Sequence, residues 1–293
     1  MSVGSDRTPS RRTGGRRVRR VDDRLGLAVL RAGLSGRSLV TYARDHVTVR
    51  TPSRPTFTDG NTLDLLAAPD PAALDGWVDR FATTIAVTGA RCTQLRWEEP
   101  PTGPHPALTT ALDGAGFSVT TPGVALLDDL QRRPFPAGVS VVDVAAPSVS
   151  GDAGAVTDRR WHAATVLYRY LAPCGGYHDF DAEDAAWRAD VQRELAAAGR
   201  ARVWVAMRHG APVARCTVVH DRQGLAAVED VVTHPVHRRS GVAAALVSHA
   251  VAEHLARQPA SRVGIATPTS SMVRLAAALG FAPHAVVVTA RRG

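Results

Sequence analysis

The sequence contains no lysine, so all 35 of its basic residues are arginine. It has only three cysteines, Cys92, Cys174 and Cys216, which are odd in number and far apart. No Cys-x-x-Cys spacing occurs, so the sequence predicts neither a metal site nor a disulfide framework. Free thiols without a secretory signal favour a reducing compartment, and we expect a cytoplasmic protein.

Long hydrophobic runs are lacking as well. The best candidate, residues 241–255, is interrupted by Ser248, His249, Glu253 and His254, whereas a membrane span needs roughly 18 apolar residues. We therefore expect no insertion into a membrane. A content of 45% hydrophobic and 21% charged residues is that of an ordinary globular protein, and 293 residues suggest about two domains.

The formal net charge of +8 is concentrated at the N-terminus. Residues 1–20 contain seven arginines and one acid, which gives +6, whereas the remaining residues carry only +2. The composition of this stretch predicts a disordered, arginine-rich tail. A solvated tail is the simplest interpretation, and we expect no nucleic-acid partner beyond contacts that the tail itself makes with phosphates.

A proline- and glycine-rich segment at residues 133–138 is the best candidate for a domain boundary. It separates an N-terminal domain, residues 21–137, from a C-terminal domain, residues 138–293. Apolar periodicities predict strands and helices in mixed order, which indicates an α+β fold. The predicted strands are 61–67, 92–97, 118–127, 139–144, 202–207, 212–220, 225–233, 263–266 and 285–289, and the predicted helices are 71–88, 106–114, 157–170, 182–198, 242–255 and 270–278.

The most informative stretch joins a predicted strand to a long helix. The strand ends before Pro235, and the pattern Arg-x-x-Gly-x-Ala over residues 238–243 opens the helix. The small residues Ser240, Gly241 and Ala243 allow a ligand to approach the backbone closely. The first N–H groups of a helix lack intrahelical partners and lie at its positive end, which suits a pyrophosphate.

This stretch resembles motif A of the GNAT superfamily of acyl-CoA-dependent N-acyltransferases. A second segment, Leu275–Phe281, resembles the family's Leu-Tyr-x-x-Leu-Gly-Phe motif, and the order of elements from residue 139 to 293 is similar too. The resemblance implies a mixed, mostly antiparallel sheet flanked by helices. It also implies acetyl-CoA as co-substrate, without a metal.

The resemblance further implies which residues bind the cofactor. Strand residues 231–233 would run beside the pantetheine arm, and backbone N–H groups of residues 238–244 would hold the pyrophosphate. A main-chain N–H near Val232 would stabilise the oxyanion that develops on the thioester carbonyl. The implied cofactor-binding residues are Val231, Val232, Thr233, Arg238, Arg239, Ser240, Gly241, Val242, Ala243 and Ala244.

The candidate general bases are the neighbouring carboxylates Glu229 and Asp230. Glu229 aligns with a carboxylate that the family often uses as a base, directly or through water. Neighbouring strand residues face opposite sides, so we expect only one of the two to point at the acceptor. Ordinary salt bridges are the alternative role for either residue.

The general acid is less well defined. The tyrosine of the family's second motif is Ala276 here, and the asparagine often found seven residues earlier is Thr269. Water, His284 or a tyrosine of residues 168–177, such as Tyr170, are the candidates that remain. Three of the four tyrosines lie in that segment, which we expect to help form the acceptor pocket.

Residues 56–127 look like the second part of a degenerate GNAT unit. Their predicted helix begins at Asp70, and an acid at that position would repel a pyrophosphate. The first hypothesis is therefore a monomeric or homodimeric N-acetyltransferase that acts on the primary amine of a small molecule through the C-terminal domain. The alternatives are a non-catalytic acyl-CoA-binding module, favoured by Ala276, and a transferase acting on an RNA- or ribosome-associated substrate, favoured by the arginine tail.

Overall fold

The computed structural model describes residues 24–34, 36–100, 106–146, 153–170, 182–221 and 223–293. These residues form one mixed sheet with helices on both faces. The helices are α1 (Leu25–Arg31), α2 (Leu74–Thr84), α3 (Pro106–Gly114), α4 (Ala153–Val166), α5 (Ala182–Ala197), α6 (Val242–Arg257) and α7 (Ser270–Ala278). The strands are β1 (Leu39–Tyr42), β2 (His46–Arg50), β3 (Thr62–Leu65), β4 (Thr93–Glu99), β5 (Ser118–Thr120), β6 (Gly123–Leu127), β7 (Val139–Asp143), β8 (Ala201–Arg208), β9 (Ala211–His220), β10 (Leu225–Thr233), β11 (Arg262–Thr267) and β12 (Phe281–Arg292).

The strand order in the sheet is β1-β2-β3-β4-β12-β6-β11-β10-β9-β8-β7, and β5 pairs with β12 beside this path. Among the described strands, β3 with β4 and β10 with β11 are parallel, and the other pairs are antiparallel. The expected α+β fold with a mostly antiparallel sheet is confirmed.

The two halves of the chain exchange strands within this sheet. Strand β6 precedes the predicted boundary at residue 137, yet it lies between β11 and β12. Strand β12 pairs in turn with β4 over Val286–Arg292. The domain boundary at residue 137 stays a prediction. The described sheet contains strands from both sides of it.

Helices cover both faces of the sheet. On one face, α6 packs on the C-terminal strands through residues such as Leu246, and Phe81 of α2 belongs to the core of the N-terminal strands. On the other face, Leu27 and Val29 of α1 pack against Val287 of β12. Helix α1 thus lies across strands from both halves, and α5 packs on β8 further along the sheet.

Some predicted elements differ from the observed ones. The predicted strand 118–127 is wrong as a single element, because it is split at residues 121–122, where Pro122 has no N–H to donate. Helix α1 and strands β1 and β2, at residues 25–50, were not predicted. The predicted N-cap is confirmed, since the Asp70 carboxylate accepts a hydrogen bond from the N–H of Ala72 at 2.9 Å. The arginine-rich stretch 1–20 lies outside the described residues.

None of the described helices is long and apolar enough to cross a membrane.

Candidate functional site

Strands β10 and β11 separate at the start of the informative stretch. Their parallel pairing runs from Leu225 opposite Arg262 to Val228 opposite Ile265, whereas β10 continues to Thr233. The backbone of residues 229–233 is therefore open on the side of β11. An open strand edge can pair with an extended ligand by backbone hydrogen bonds.

A β-bulge lies at this opening. Asp230 has a φ of 50°, and the register with β9 shifts between Glu229 and Val232. A bulge interrupts the two-residue period of a strand, and both carboxylates consequently line one cavity. The expectation that the two side chains lie on opposite sides of the strand is wrong for this reason, and which of them faces the acceptor stays a prediction. The local conformation also explains the residue type, since aspartate tolerates positive φ better than most residues.

The connection from β10 to α6 forms an exposed loop. It contains a short 3-10 helix, Pro235–His237, and two residues with positive φ, Arg239 at 65° and Gly241 at 82°. Gly241 is the N-cap of α6 and provides no side-chain cap, so the first N–H groups of α6 are not capped by this residue. These groups, together with the exposed Arg239, fit a pyrophosphate.

The side chain of Arg238 forms two hydrogen bonds that hold this loop. Its guanidinium donates to the carbonyl oxygens of Thr233 and Tyr170 at 3.3 and 3.4 Å. The side chain is exposed and could turn toward a phosphate only by giving up these bonds. The assignment of Val231–Thr233 and residues 238–244 to cofactor binding stays a prediction.

A cavity of about 410 Å³ adjoins the two carboxylates. One wall consists of α1 and the turn that follows it, including Leu30, Gly33 and Leu34, and a second wall consists of α5, including Trp187 and Arg188. The floor comes from the middle of the sheet, including β4, β5 and β12. Both halves of the chain thus build the cavity.

Glu229 lies where the turn after α1 meets the bulge. The N–H of Gly33 donates to its Oε1 at 2.9 Å. A Cβ at position 33 would overlap the carboxylate at 1.9 Å, so this close approach requires glycine. Burial and the negative charge of Asp230 raise the pKa of Glu229 to about 8, against the opposing effects of Arg188 and the Gly33 N–H. A carboxyl group with a pKa near the operating pH suits general-base catalysis.

Asp230 is held by a network of buried polar groups. Arg188 Nε lies 3.0 Å from one carboxylate oxygen, and the Tyr168 hydroxyl donates to the other at 2.9 Å. Gln192 also donates to Asp230, and Arg215 lies 3.8 Å away with its guanidinium stacked 4.0 Å from the Tyr168 ring centre. This network ties the bulge to α5, β9 and the 3-10 helix Leu167–Tyr170 that follows α4. These contacts hold the Asp230 carboxylate in place, and its catalytic role stays a prediction.

The described candidates for the general acid do not line the cavity. Tyr170 packs its ring against His234, 4.5 Å between ring centres, and is absent from the described lining of the cavity. His284 is absent from that lining as well and lies 3.8 Å from Glu98. Tyr168 is buried, donates to Asp230 and is also absent from that lining, and Tyr177 lies outside the described residues.

The two departures from the second motif have structural roles. Ala276 is 2% exposed and belongs to the apolar core under α6. Thr269 is the N-cap of α7, where its hydroxyl accepts from the N–H of Met272 at 3.3 Å. Within the described part of the chain, no group of three or more His, Cys, Asp or Glu side chains could hold a metal ion.

The sequence interpretation missed the contribution of the N-terminal half to the site. The sequence predicted no role for Gly33, Arg96 or Thr289, although all three line the cavity. One usable indication was the apolar run Leu25–Leu30, which is typical of a short buried helix. A second was the single charged residue within each of the apolar segments Leu63–Leu65 and Leu95–Trp97.

Comparison with known proteins identifies the class. The model of the acetyltransferase (GNAT) family matches residues 165–281, so the C-terminal half contains a GNAT acetyltransferase domain. This match supports an acyl transfer function. A search of curated proteins gave no match.

Solved structures share the fold over most of the chain. A GCN5-related N-acetyltransferase from Kribbella flavida is 18% identical with a TM-score of 0.63, covering 92% of this chain and 94% of that one. A protein of unknown function from Staphylococcus epidermidis is 11% identical with a TM-score of 0.65, covering 88% and 94%. A tandem GNAT protein from the clavulanic acid biosynthesis pathway is 19% identical with a TM-score of 0.50, covering 78% and 74%. This likeness agrees with the interpretation of the N-terminal half as a second GNAT-like unit.

Proposed function

We propose that the protein transfers the acetyl group of acetyl-CoA to the primary amine of a small molecule. The observation that carries this proposal is the position of Glu229. Its carboxyl group, with a pKa near 8, lies on the bulge where β10 and β11 separate and faces a cavity large enough for a small molecule. The candidate base Glu229, the open edge of β10 and the cavity that would hold the acceptor therefore lie next to one another.

In the proposed reaction the acceptor enters the cavity as an ammonium ion and loses one proton to Glu229. The free amine nitrogen attacks the thioester carbonyl, forming the C–N bond while negative charge develops on the carbonyl oxygen. A backbone N–H near Val232 stabilises that charge. The nitrogen loses its second proton as the C–S bond breaks, and water carries this proton to the departing thiolate, whose conjugate acid has a pKa of about 8.5. Glu229 then releases the first proton to solvent.

The test is a screen of amines with acetyl-CoA, read by the release of free CoA thiol. An enzyme releases thiol in proportion to the acetylated amine. The alternative, a module that binds acyl-CoA without turnover, would bind acetyl-CoA by calorimetry and release no thiol with any amine. An RNA- or ribosome-associated acceptor would show as turnover only with that substrate.

The phosphate-binding role of the loop predicts a charge-specific effect at Gly241. Gly241→Asp places a carboxylate in the phosphate cradle, and we expect the Kd of acetyl-CoA to rise about tenfold or more, by charge repulsion alone. Gly241→Asn is the matched control, since it has the same shape and tolerates positive φ without the charge. Equal affinities of the two variants by calorimetry would contradict the assignment. Arg238→Ala should cost less, under about 1 kcal/mol, since the exposed guanidinium binds carbonyl oxygens of the protein and the backbone donors remain.

The network around Asp230 predicts a loss of stability when its charge is removed. Asp230→Asn leaves Arg188 and Arg215 without their buried counter-charge, and we expect the free energy of unfolding to fall by about 3 kcal/mol. The pH at which Glu229 titrates should also fall, because Asp230 raises its pKa. Glu253→Gln, which removes a carboxylate from an exposed pair with Arg257, is the control and should cost under about 1 kcal/mol. Similar denaturant midpoints of both variants would contradict the positioning role.

A further inference from the structure

The floor of the cavity carries a row of polar side chains where a protein core is normally apolar. Asp64, Arg96, Thr289 and Thr120 lie directly opposite one another on β3, β4, β12 and β5, so their side chains share one face of the sheet. Asp64, Arg96 and Thr289 are 0%, 3% and 4% exposed. Asp64 and Arg96 form a buried ion pair at 2.8 Å, and Arg96, Thr289 and Thr120 line the cavity.

The charges of this floor favour an anion. Four arginines line the cavity, and three of them, Arg37, Arg188 and Arg291, each form an ion pair inside the protein, with Glu194, Asp230 and Asp59. The fourth, Arg96, pairs with Asp64, and the same carboxylate also binds Arg31 at 2.7 Å. Two buried guanidinium groups thus share one negative charge. The nearby Glu98 accepts hydrogen bonds from the N–H groups of Gly26 and Leu27 at the start of α1 and does not line the cavity.

The opposite end of the cavity is the bulge with Glu229. Helix α1 links the two ends, because the N–H of Gly26 donates to Glu98, which shares a face of β4 with Arg96, and the N–H of Gly33 donates to Glu229 on β10. Gly26 and Gly33 are seven residues apart, or about 10 Å at ~1.5 Å per helical residue, so the carboxylates of Glu98 and Glu229 are on the order of 10 Å apart. Apolar side chains line the space between them, including Val29, Leu30 and Leu34.

From this arrangement we propose an anion subsite formed by Arg96, Thr289 and Thr120, which selects elongated acceptors. The substrate class is an amine with an apolar middle and a carboxylate or phosphoryl group at the far end. The guanidinium and the two hydroxyl groups bind the anionic end and place the amine at Glu229. The amine end of this inference rests on the proposed function, whereas the anion subsite does not.

The experiment compares octylamine, ω-aminooctanoate and ω-aminooctylphosphonate as acceptors by thiol release. We expect at least one anionic amine to exceed octylamine tenfold or more in kcat/KM, and the better of the two identifies carboxylate or phosphoryl as the preferred group. In Thr289→Val and Arg96→Gln this ratio should fall toward one. Thr48→Val removes a buried hydroxyl from β2 away from the cavity and should keep the wild-type ratio.

A wild-type ratio near one, or an unchanged ratio in both subsite variants, would overturn the inference and leave the proposed acetyl transfer intact. Should no amine be acetylated, the proposed function fails, and binding of octanoate and octanol by calorimetry still decides the subsite. Tighter binding of octanoate that is lost in Thr289→Val supports it. Equal binding of the two probes overturns it.

Discussion

Glu229→Gln is expected to lower kcat by about 10²–10⁴-fold while the affinity for acetyl-CoA stays nearly constant. Glutamine keeps the shape of the side chain and its bond from the Gly33 N–H, but it cannot accept the proton of the ammonium ion. General-base catalysis typically contributes a factor of this size. Steady-state kinetics and calorimetry on the same variant separate the two quantities.

The pH dependence of kcat and of stability provides a second test of this prediction. Wild-type kcat should rise with pH through about 8, as Glu229 loses its proton. The variant should lack that titration and be partly rescued at high pH, where more acceptor is already deprotonated. Because the pKa of Glu229 is raised on folding, from about 4.5 to about 8, the wild type should lose stability as the pH rises between these values. Glu229→Gln should therefore gain in Tm relative to wild type between pH 5 and pH 8.

Glu98→Gln is the matched control for this variant. Glu98 also accepts backbone hydrogen bonds from the α1 region, at Gly26 and Leu27, but it does not line the cavity. Its substitution should affect stability and leave the pH profile of kcat unchanged. Equal activity of Glu229→Gln and wild type across pH 6–9 would remove Glu229 from the mechanism.

A fragment of residues 138–293 is expected not to fold cooperatively, although it contains the whole stretch that matches the acetyltransferase family. Without residues 1–137, β11 loses its partner β6 along Gly264–Thr267, and β12 loses both β4 and β6. The apolar cover that Leu27 and Val29 of α1 provide is lost as well. Circular dichroism during heating should show no sharp transition, and binding of acetyl-CoA should be absent.

Deletion of residues 1–20 alone is the control for this truncation. A tail of this composition contributes no positioned group, so kcat/KM for a small amine should stay within about twofold of the full chain. Cooperative melting of the 138–293 fragment with wild-type affinity for acetyl-CoA would contradict the structural dependence between the halves.

The parts of the site that were predicted from sequence are those that depend on local chemistry. A strand that ends at a proline, followed by small residues and a helix, specifies its own backbone geometry, and the observed loop from Pro235 to Gly241 agrees with it. The bulge could not be predicted in this way. Its effect depends on Asp230 adopting a positive φ, which is stabilised by Arg188, Tyr168 and Gln192 from elements distant in sequence.

The cavity was unpredictable for a related reason. The bond from Gly33 to Glu229 joins residues 196 positions apart, and no local pattern indicates such a contact. The strand exchange was also hidden, because β6 and β12 have ordinary strand sequences that are compatible with either half. What decides their positions is pairing across the whole sheet, such as Val288 opposite Trp97.

The exchange of strands has a consequence for synthesis on the ribosome. Strand β4 ends at Glu99, but its neighbour β12 begins its pairing only at Val286. At a synthesis rate of ~5–20 residues per second, about 10–40 s pass between the synthesis of β4 and that of β12, and one edge of β4 stays unpaired during this time. During that interval the first half of the chain exposes an unpaired strand edge, which is the kind of surface that chaperones bind and that aggregates form from. The emergence of β12 from the ribosome is therefore the event that allows the N-terminal half to close.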